Sequence, residues 1–302
     1  SFNFVLLNLI GNLPANAMNL RIKSSITIIV LFVFSLNTGK AEKPKPAIAK
    51  EPDWITKRTI SYNKTSLDNL ASDGYIEMNF ENQVNLADQS EYFRICKKIL
   101  SQSGVQNASQ VSVSFNPEYQ QLIFHSIKII RNNTSIDKLK LSNIKTVQQE
   151  ENLQDFIYNG TKDAVIILDD IRPGDFIEYS YTVKGYNPIF KNKYSDWFRF
   201  NYETPLYDLY YKIVVPPGRK LNFKSFNNAP AAQPSAENGQ QVYQWTKTDI
   251  RPLKLQDYTP VWYNPYDQIQ VSEFASWKEV NDWSVELFPL NKVLSAAVRN
   301  KI

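Results

Sequence analysis

Hydrophobic and polar residues alternate with a period of two along most of the chain. In residues 75–86, Ile76, Met78, Phe80, Val84 and Leu86 share one face, and Glu77, Glu81 and Gln83 lie opposite. That period marks a half-buried strand. Residues 92–100 follow with Phe93, Ile95, Lys97 and Ile99, and Val111, Val113 and Phe115 open a third strand. Residues 121–131 are rich in β-branched side chains and run into Asn132-Asn133, a turn pair, from which residues 138–147 are expected to return. The apolar run 164–168 precedes Arg172-Pro173-Gly174-Asp175, whose Pro-Gly pair fits the centre of a type II turn, and residues 176–183 form the next strand. Strands are further predicted over 197–202, 206–215, 221–226, 241–246 and 269–274, with a loose Ala-, Pro- and Asn-rich stretch at 227–239.

The period changes at residue 276. Ser276 and Glu279 have the spacing of a capping box, and Trp277, Val280, Ser284 and Leu287 follow at helical intervals. This stripe is expected to pack back on the strands. Pro289 limits the helix, and residues 291–302 are expected to be frayed, because Val293, Leu294 and Val298 have no evident partner. Many short strands with almost no helix before residue 276 predict an all-β fold, a large antiparallel β-sandwich with a C-terminal connecting helix.

Residues 1–41 read as a leader. From Met18, the basic Arg21 and Lys23 precede an apolar run at 26–34, and Gly39-Lys40-Ala41 offers small side chains to a peptidase. The run is about half the roughly 20 residues a spanning helix needs. An uncleaved anchor or a buried helix is the alternative. The expectation is export, with cleavage after Ala41 or Gly39 and no stable membrane span afterwards. Residues 42–53, with Pro44, Pro46 and Pro52 among lysines, read as a disordered linker, which leaves 54–275 as the sandwich and 276–302 as a helical connection.

Composition narrows the chemistry. Six of the 34 basic residues but only one of the 30 acidic ones lie in the first 50, so the body is close to neutral and gives no footprint for nucleic acid. One cysteine, Cys96, excludes an internal disulfide, and His125 is the sole histidine. Both sit in predicted strands. Cys96 is better explained as a small packed residue than as a reactive thiol, and His125, expected on the face of Ile123, Ile127 and Ile129, as a satisfied strand histidine. Asp163, Asp169, Asp170, Asp175 and Glu178 invite a calcium reading, but their spacing matches no known loop, and solvation of turns and strand ends explains them better. No catalytic, cofactor-binding or metal-binding residue is assigned. Tyr179, Tyr181, Trp197, Phe198, Phe200, Tyr202, Tyr207, Tyr210 and Tyr211 are explained mostly by packing on sheets. Tyr258, Trp262, Tyr263 and Tyr266 lie in or beside the Pro-broken segment 259–265, which suits docking of another domain or the lining of a groove.

The order of several segments carries a resemblance. They are Asp170-Ile171-Arg172-Pro173-Gly174-Asp175-Phe176-Ile177-Glu178-Tyr179-Ser180-Tyr181, then Phe198 to Tyr202 with Thr204-Pro205, Val214-Val215-Pro216-Pro217-Gly218, Tyr243-Gln244-Trp245 and Ser276-Trp277-Lys278-Glu279-Val280. Together they resemble the N-terminal β-domain of unknown function that precedes a transglutaminase-like core in exported bacterial proteins. The resemblance implies a papain-like core beyond the connecting helix, with a Cys nucleophile in a Gly-Asp-Cys type motif and a later His and Asp. The sequence stops before that region, so no residue inherits those roles. The expectation is a non-catalytic module whose partner is the downstream core in the same polypeptide, and which supports or gates it or binds its substrate. The rival is an independent carbohydrate- or peptide-binding module. An enzyme complete in itself would need a converging pair of carboxylates, as in glycoside hydrolysis.

Overall fold

The computed structural model describes residues 44–148, 160–260, 262–288 and 299. The leader and the frayed segment predicted at 291–302 therefore fall outside the described residues, apart from Arg299. Fifteen strands and two α-helices are described: β1 (Ala47–Ile48), β2 (Tyr75–Asn85), β3 (Ser90–Ile99), α1 (Gln102–Ala108), β4 (Gln110–Phe115), β5 (Gln121–Arg131), β6 (Thr134–Asp137), β7 (Lys145–Gln148), β8 (Lys162–Ile167), β9 (Phe176–Lys184), β10 (Ser195–Arg199), β11 (Leu206–Val215), β12 (Asn222–Phe226), β13 (Gln233–Glu237), β14 (Gln240–Ile250), β15 (Gln268–Ser272) and α2 (Trp277–Leu287).

The frame is a nine-stranded sheet in the order β1-β5-β9-β3-β2-β11-β14-β13, with β6 beside β5. All its pairs are antiparallel except β1 with β5 and β2 with β11. Two three-stranded antiparallel sheets, β4-β8-β7 and β10-β15-β12, stack on one face. The first closes an apolar core with β5 and β9 through Val111, Phe115, Ala164, Ile166, Phe124 and Ile127. The second closes another with β2, β11 and β14 through Phe198, Ile269, Val271, Leu209, Ile213 and Trp245. The predicted sandwich is present, in mixed rather than purely antiparallel form.

The opposite face is covered by the segment between β1 and β2. Ile60 and Leu67 pack there against Ile76, Met78, Cys96 and Tyr207. The linker expectation differs from the structure over residues 44–53. Ala47 and Ile48 pair in parallel with Ile123 and Phe124, and Glu51 accepts from the Tyr92 hydroxyl at 2.7 Å. The prolines do not prevent this, because an edge position leaves one side of the strand without ladder bonds.

Three further differences have local causes. The chain turns at Asn132-Asn133, both at positive φ, into β6 immediately, while 145–148 pairs with β8. α1 forms where no helix was expected, capped by Ser101, whose side chain accepts from the Gly104 amide. Trp277 does not pack on the strands and is 87% exposed; Trp283 anchors the helix instead, on the turn between β9 and β10. Its ring stacks on Phe190 at 5.5 Å and its indole N–H donates to the Ile189 carbonyl at 2.8 Å. The cap itself is as read: Ser276 accepts from the Glu279 amide at 3.2 Å, and Glu279 accepts from the Ala275 amide at 2.7 Å.

Candidate functional site

Cys96 and His125, the sole cysteine and histidine, are both occupied structurally. Cys96 is fully buried on β3, and burial pushes its thiol well above the ordinary range. A β-bulge between Phe124 and Ser126 turns His125 to the face opposite Ile127 and Ile129, contrary to the simple alternation. There one ring nitrogen meets the Ala49 carbonyl at 3.0 Å and the other the Thr182 hydroxyl at 2.7 Å, and the ring stacks on Tyr92 at 5.9 Å. Burial lowers its pKa, so the neutral ring ties β1 to the sheet.

The five acids do not converge. Asp175 is buried and accepts from Arg131 at 2.8 and 2.7 Å and from the Arg172 amide at 2.8 Å. Asp170 pairs with Arg131 and Arg172, and Asp169 with Lys138. Asp163 accepts from Ser112 and Ser114. Glu178 lies on the other face, against Arg94 at 2.9 Å, Lys128 at 3.1 Å and the Tyr62 hydroxyl. Its burial raises the carboxyl pKa, but Arg94, Tyr62 and Lys128 outweigh it, and the net shift is downward. These partners lie far apart in sequence, and a charge spacing could not reveal them.

Glu178 belongs to a polar layer that the sequence reading missed. Arg94 also donates to the Arg58 carbonyl at 2.6 Å, and Arg58 holds Asp208 at 2.9 and 3.0 Å while stacking 4.4 Å from the Tyr210 ring. Glu81, between the two arginines at 3.8 and 3.9 Å, is pushed up to about 7 by burial. Lys212, 2% exposed, reaches Thr56 at 2.9 Å and Glu237 at 2.8 Å. The layer fastens the segment between β1 and β2 onto the sheet. Its charges are spent on one another.

The aromatic candidates divide cleanly. Phe198, Phe200, Tyr207, Tyr210 and Tyr211 are buried. Tyr202 and Tyr211 share a hydrogen bond at 2.5 Å, and Tyr179 and Tyr181 stack at 6.4 Å. Trp197 alone among that set is largely open, at 46% exposure. Tyr258, Trp262 and Tyr263 are exposed at 101%, 81% and 55%. Trp277 and Val285 on α2, and Phe288 at its end, are also exposed apolar residues. Between α2 and the outer face of the β10-β15-β12 sheet lies a groove of about 770 Å³, lined by Trp197, Lys224, Gln270, Phe274, Trp277 and Trp283 among others. That volume is in the range of ligand or peptide clefts. At its edge, the Arg199 guanidinium lies 4.2 Å from the Trp197 ring centre and 4.0 Å from that of Tyr266. Among the described residues, this groove and its aromatic rim form the candidate site. It offers an aromatic and polar binding surface.

The described residues form a layered β-fold with an open aromatic rim. The profile of the family described as "Domain of Unknown Function with solved-structure structure (DUF3857)" matches residues 87–254, more than half of the chain, and the chain belongs to this family. No curated protein matches it. Among solved structures, a "putative protease" from Parabacteroides distasonis ATCC 8503 aligns with a TM-score of 0.61 at 17% identity, over 69% of this chain and 42% of that one. The chain thus shares that protein's fold over the aligned part and spans less than half its length. Aminopeptidase A from Legionella pneumophila aligns at a TM-score of 0.32 and 11% identity, over 69% of this chain and 22% of that one, too distant to carry an argument. No helix among the described residues is long and apolar enough to cross a membrane.

Proposed function

We propose that the chain is a non-catalytic β-module of an exported, transglutaminase-like protein, and that it seats and positions a neighbouring papain-like core. The observation that carries this reading is the outward apolar face of α2. The helix is anchored by Trp283, yet turns Trp277, Val285 and Phe288 to solvent beside an aromatic groove. Exposed apolar residues clustered on one element fit a surface that another domain covers. The occupied state of Cys96 and His125 supports a non-catalytic role. The leader pattern at residues 18–41 supports export.

The test is the reading frame beyond Ile302. A following domain with a Cys–His–Asp constellation is expected. In that longer protein, Trp277→Ala with Phe288→Ser should raise amide exchange across α2 and loosen the core. A natural stop codon directly after Ile302, or exchange that does not respond to the two substitutions, sinks the proposal.

A further inference from the structure

The outer face of the β10-β15-β12 sheet carries hydrogen-bonding capacity that the fold does not use. Arg199 and Gln268 are directly opposed in register, so their side chains share that face. The Arg199 guanidinium lies over both the Trp197 and the Tyr266 ring. Among the described residues, none of its five N–H groups donates a hydrogen bond and no carboxylate pairs with it, and its buried Nε has no acceptor. Gln268 is 6% exposed, yet its side-chain oxygen has no donor. The other partly buried arginines differ: Arg58, Arg94, Arg131 and Arg219 each hold a carboxylate. Glu203 accepts from the Tyr266 hydroxyl at 2.9 Å.

We propose that Arg199, Gln268, Trp197 and Tyr266 form a receptor for a side-chain carboxylate of an acidic peptide. Two aromatic rings flank the guanidinium and its Nε is buried, which leaves the Nη side of the planar fork to take a planar carboxylate bidentately. Gln268, opposed to Arg199 in register, backs the fork from the neighbouring strand. Lys224, on the same face, lies 5.1 Å from the Phe226 ring centre without a carboxylate partner among the described residues, so a second acidic residue also finds a cation. Trp197 rims both the clamp and the groove, which lets the peptide continue toward α2.

The probe is the peptide acetyl-Ala-Ala-Glu-Ala-Glu-Ala-amide, titrated into this chain by calorimetry and by tryptophan fluorescence. Its Glu→Gln analogue and an oligogalacturonate serve as comparisons. The acidic peptide should bind saturably, and the Gln analogue should bind at least about tenfold more weakly, the loss expected for a charge-assisted pair. Arg199→Gln should lose the same factor, and Arg199→Lys, which keeps charge but not the fork, should recover only part of it. The comparison of the two peptides on wild-type protein decides even if a variant fails to fold. Equal binding of both peptides, or binding of neither, overturns the proposal. Tighter binding of oligogalacturonate overturns the peptide assignment and gives the site to an acidic glycan. The measurements need only this chain, so their failure leaves the accessory-module reading standing, and the converse holds.

Discussion

Replacing Glu91 by Gln should stabilise the protein, and the gain should grow with pH. Glu91 is half-buried on β3, and its carboxyl is pushed up to about 8, first by burial and then by repulsion from Asp196. Asp196 accepts from the Trp197 amide at 2.7 Å and from the Tyr194 hydroxyl at 3.1 Å. It is therefore the better holder of the negative charge, and Glu91 retains the proton. A folded-state pKa raised above the unfolded value of 4.5 favours folding fully below pH 4.5, and that contribution is lost as pH rises through about 8. From pH 4.5 to 7 the loss at about 1.4 kcal/mol per unit has an upper value of about 3 kcal/mol. Partial solvent access reduces it to roughly 1–3 kcal/mol. Glu91→Gln keeps the shape and cannot ionise. Its Tm should match wild type near pH 4.5 and exceed it by roughly 3–10 °C at pH 7. Urea melts of both proteins across pH 4.5–8 provide the check. A stability difference that stays flat with pH, or that favours wild type increasingly at high pH, refutes the argument.

Two glycines should respond differently to alanine. Gly74 sits at φ +77° where a Cβ would collide with the side chains of Ser101 and Ser103 and the amide of Gly104, so Gly74→Ala should cost about 2–4 kcal/mol. Gly174, at φ +93°, has nothing within 4 Å, so Gly174→Ala should cost only the backbone strain, about 1 kcal/mol; thermal melts giving equal losses would show that packing is not the difference. Cys96→Ser should cost about 1–3 kcal/mol, because the hydroxyl enters an apolar cluster with Met78 and Tyr207, and native Cys96 should resist thiol reagents until the protein unfolds, which a colorimetric thiol assay with and without urea checks.

Regular alternation made much of the fold legible. The limits predicted for β5 and β11 coincide with those observed, because Asn132-Asn133 ends the first and Pro205 and Pro216-Pro217 bracket the second. Elements without alternation or such boundaries were hidden. β13, Gln-Pro-Ser-Ala-Glu, is exposed at every position, and α1, Gln-Ser-Gly-Val-Gln-Asn-Ala, has no apolar stripe. The bulge at His125 inverts its face, and nothing in the local sequence marks it. The aromatic rim was legible as residue types: Trp197 and Tyr266 stood out by composition. Arg199 did not, because its distinction lies in what it fails to touch, and its match to Gln268 is a register between strands distant in sequence.

The seam between β2 and β11 governs how the molecule must assemble. Leu206 pairs with Glu77 and Val214 with Asn85, so the middle of the large sheet closes only after more than half the chain exists. Until then β2 presents an open edge, and such long-range parallel pairing is slow. Asn79, Glu81, Asn82, Gln83 and Asn85 give this strand an unusually polar interior. During the waiting interval those side chains disfavour pairing with a second copy. A largely buried central strand of the mature fold is thus, earlier in its history, an open edge, and it is built to survive both.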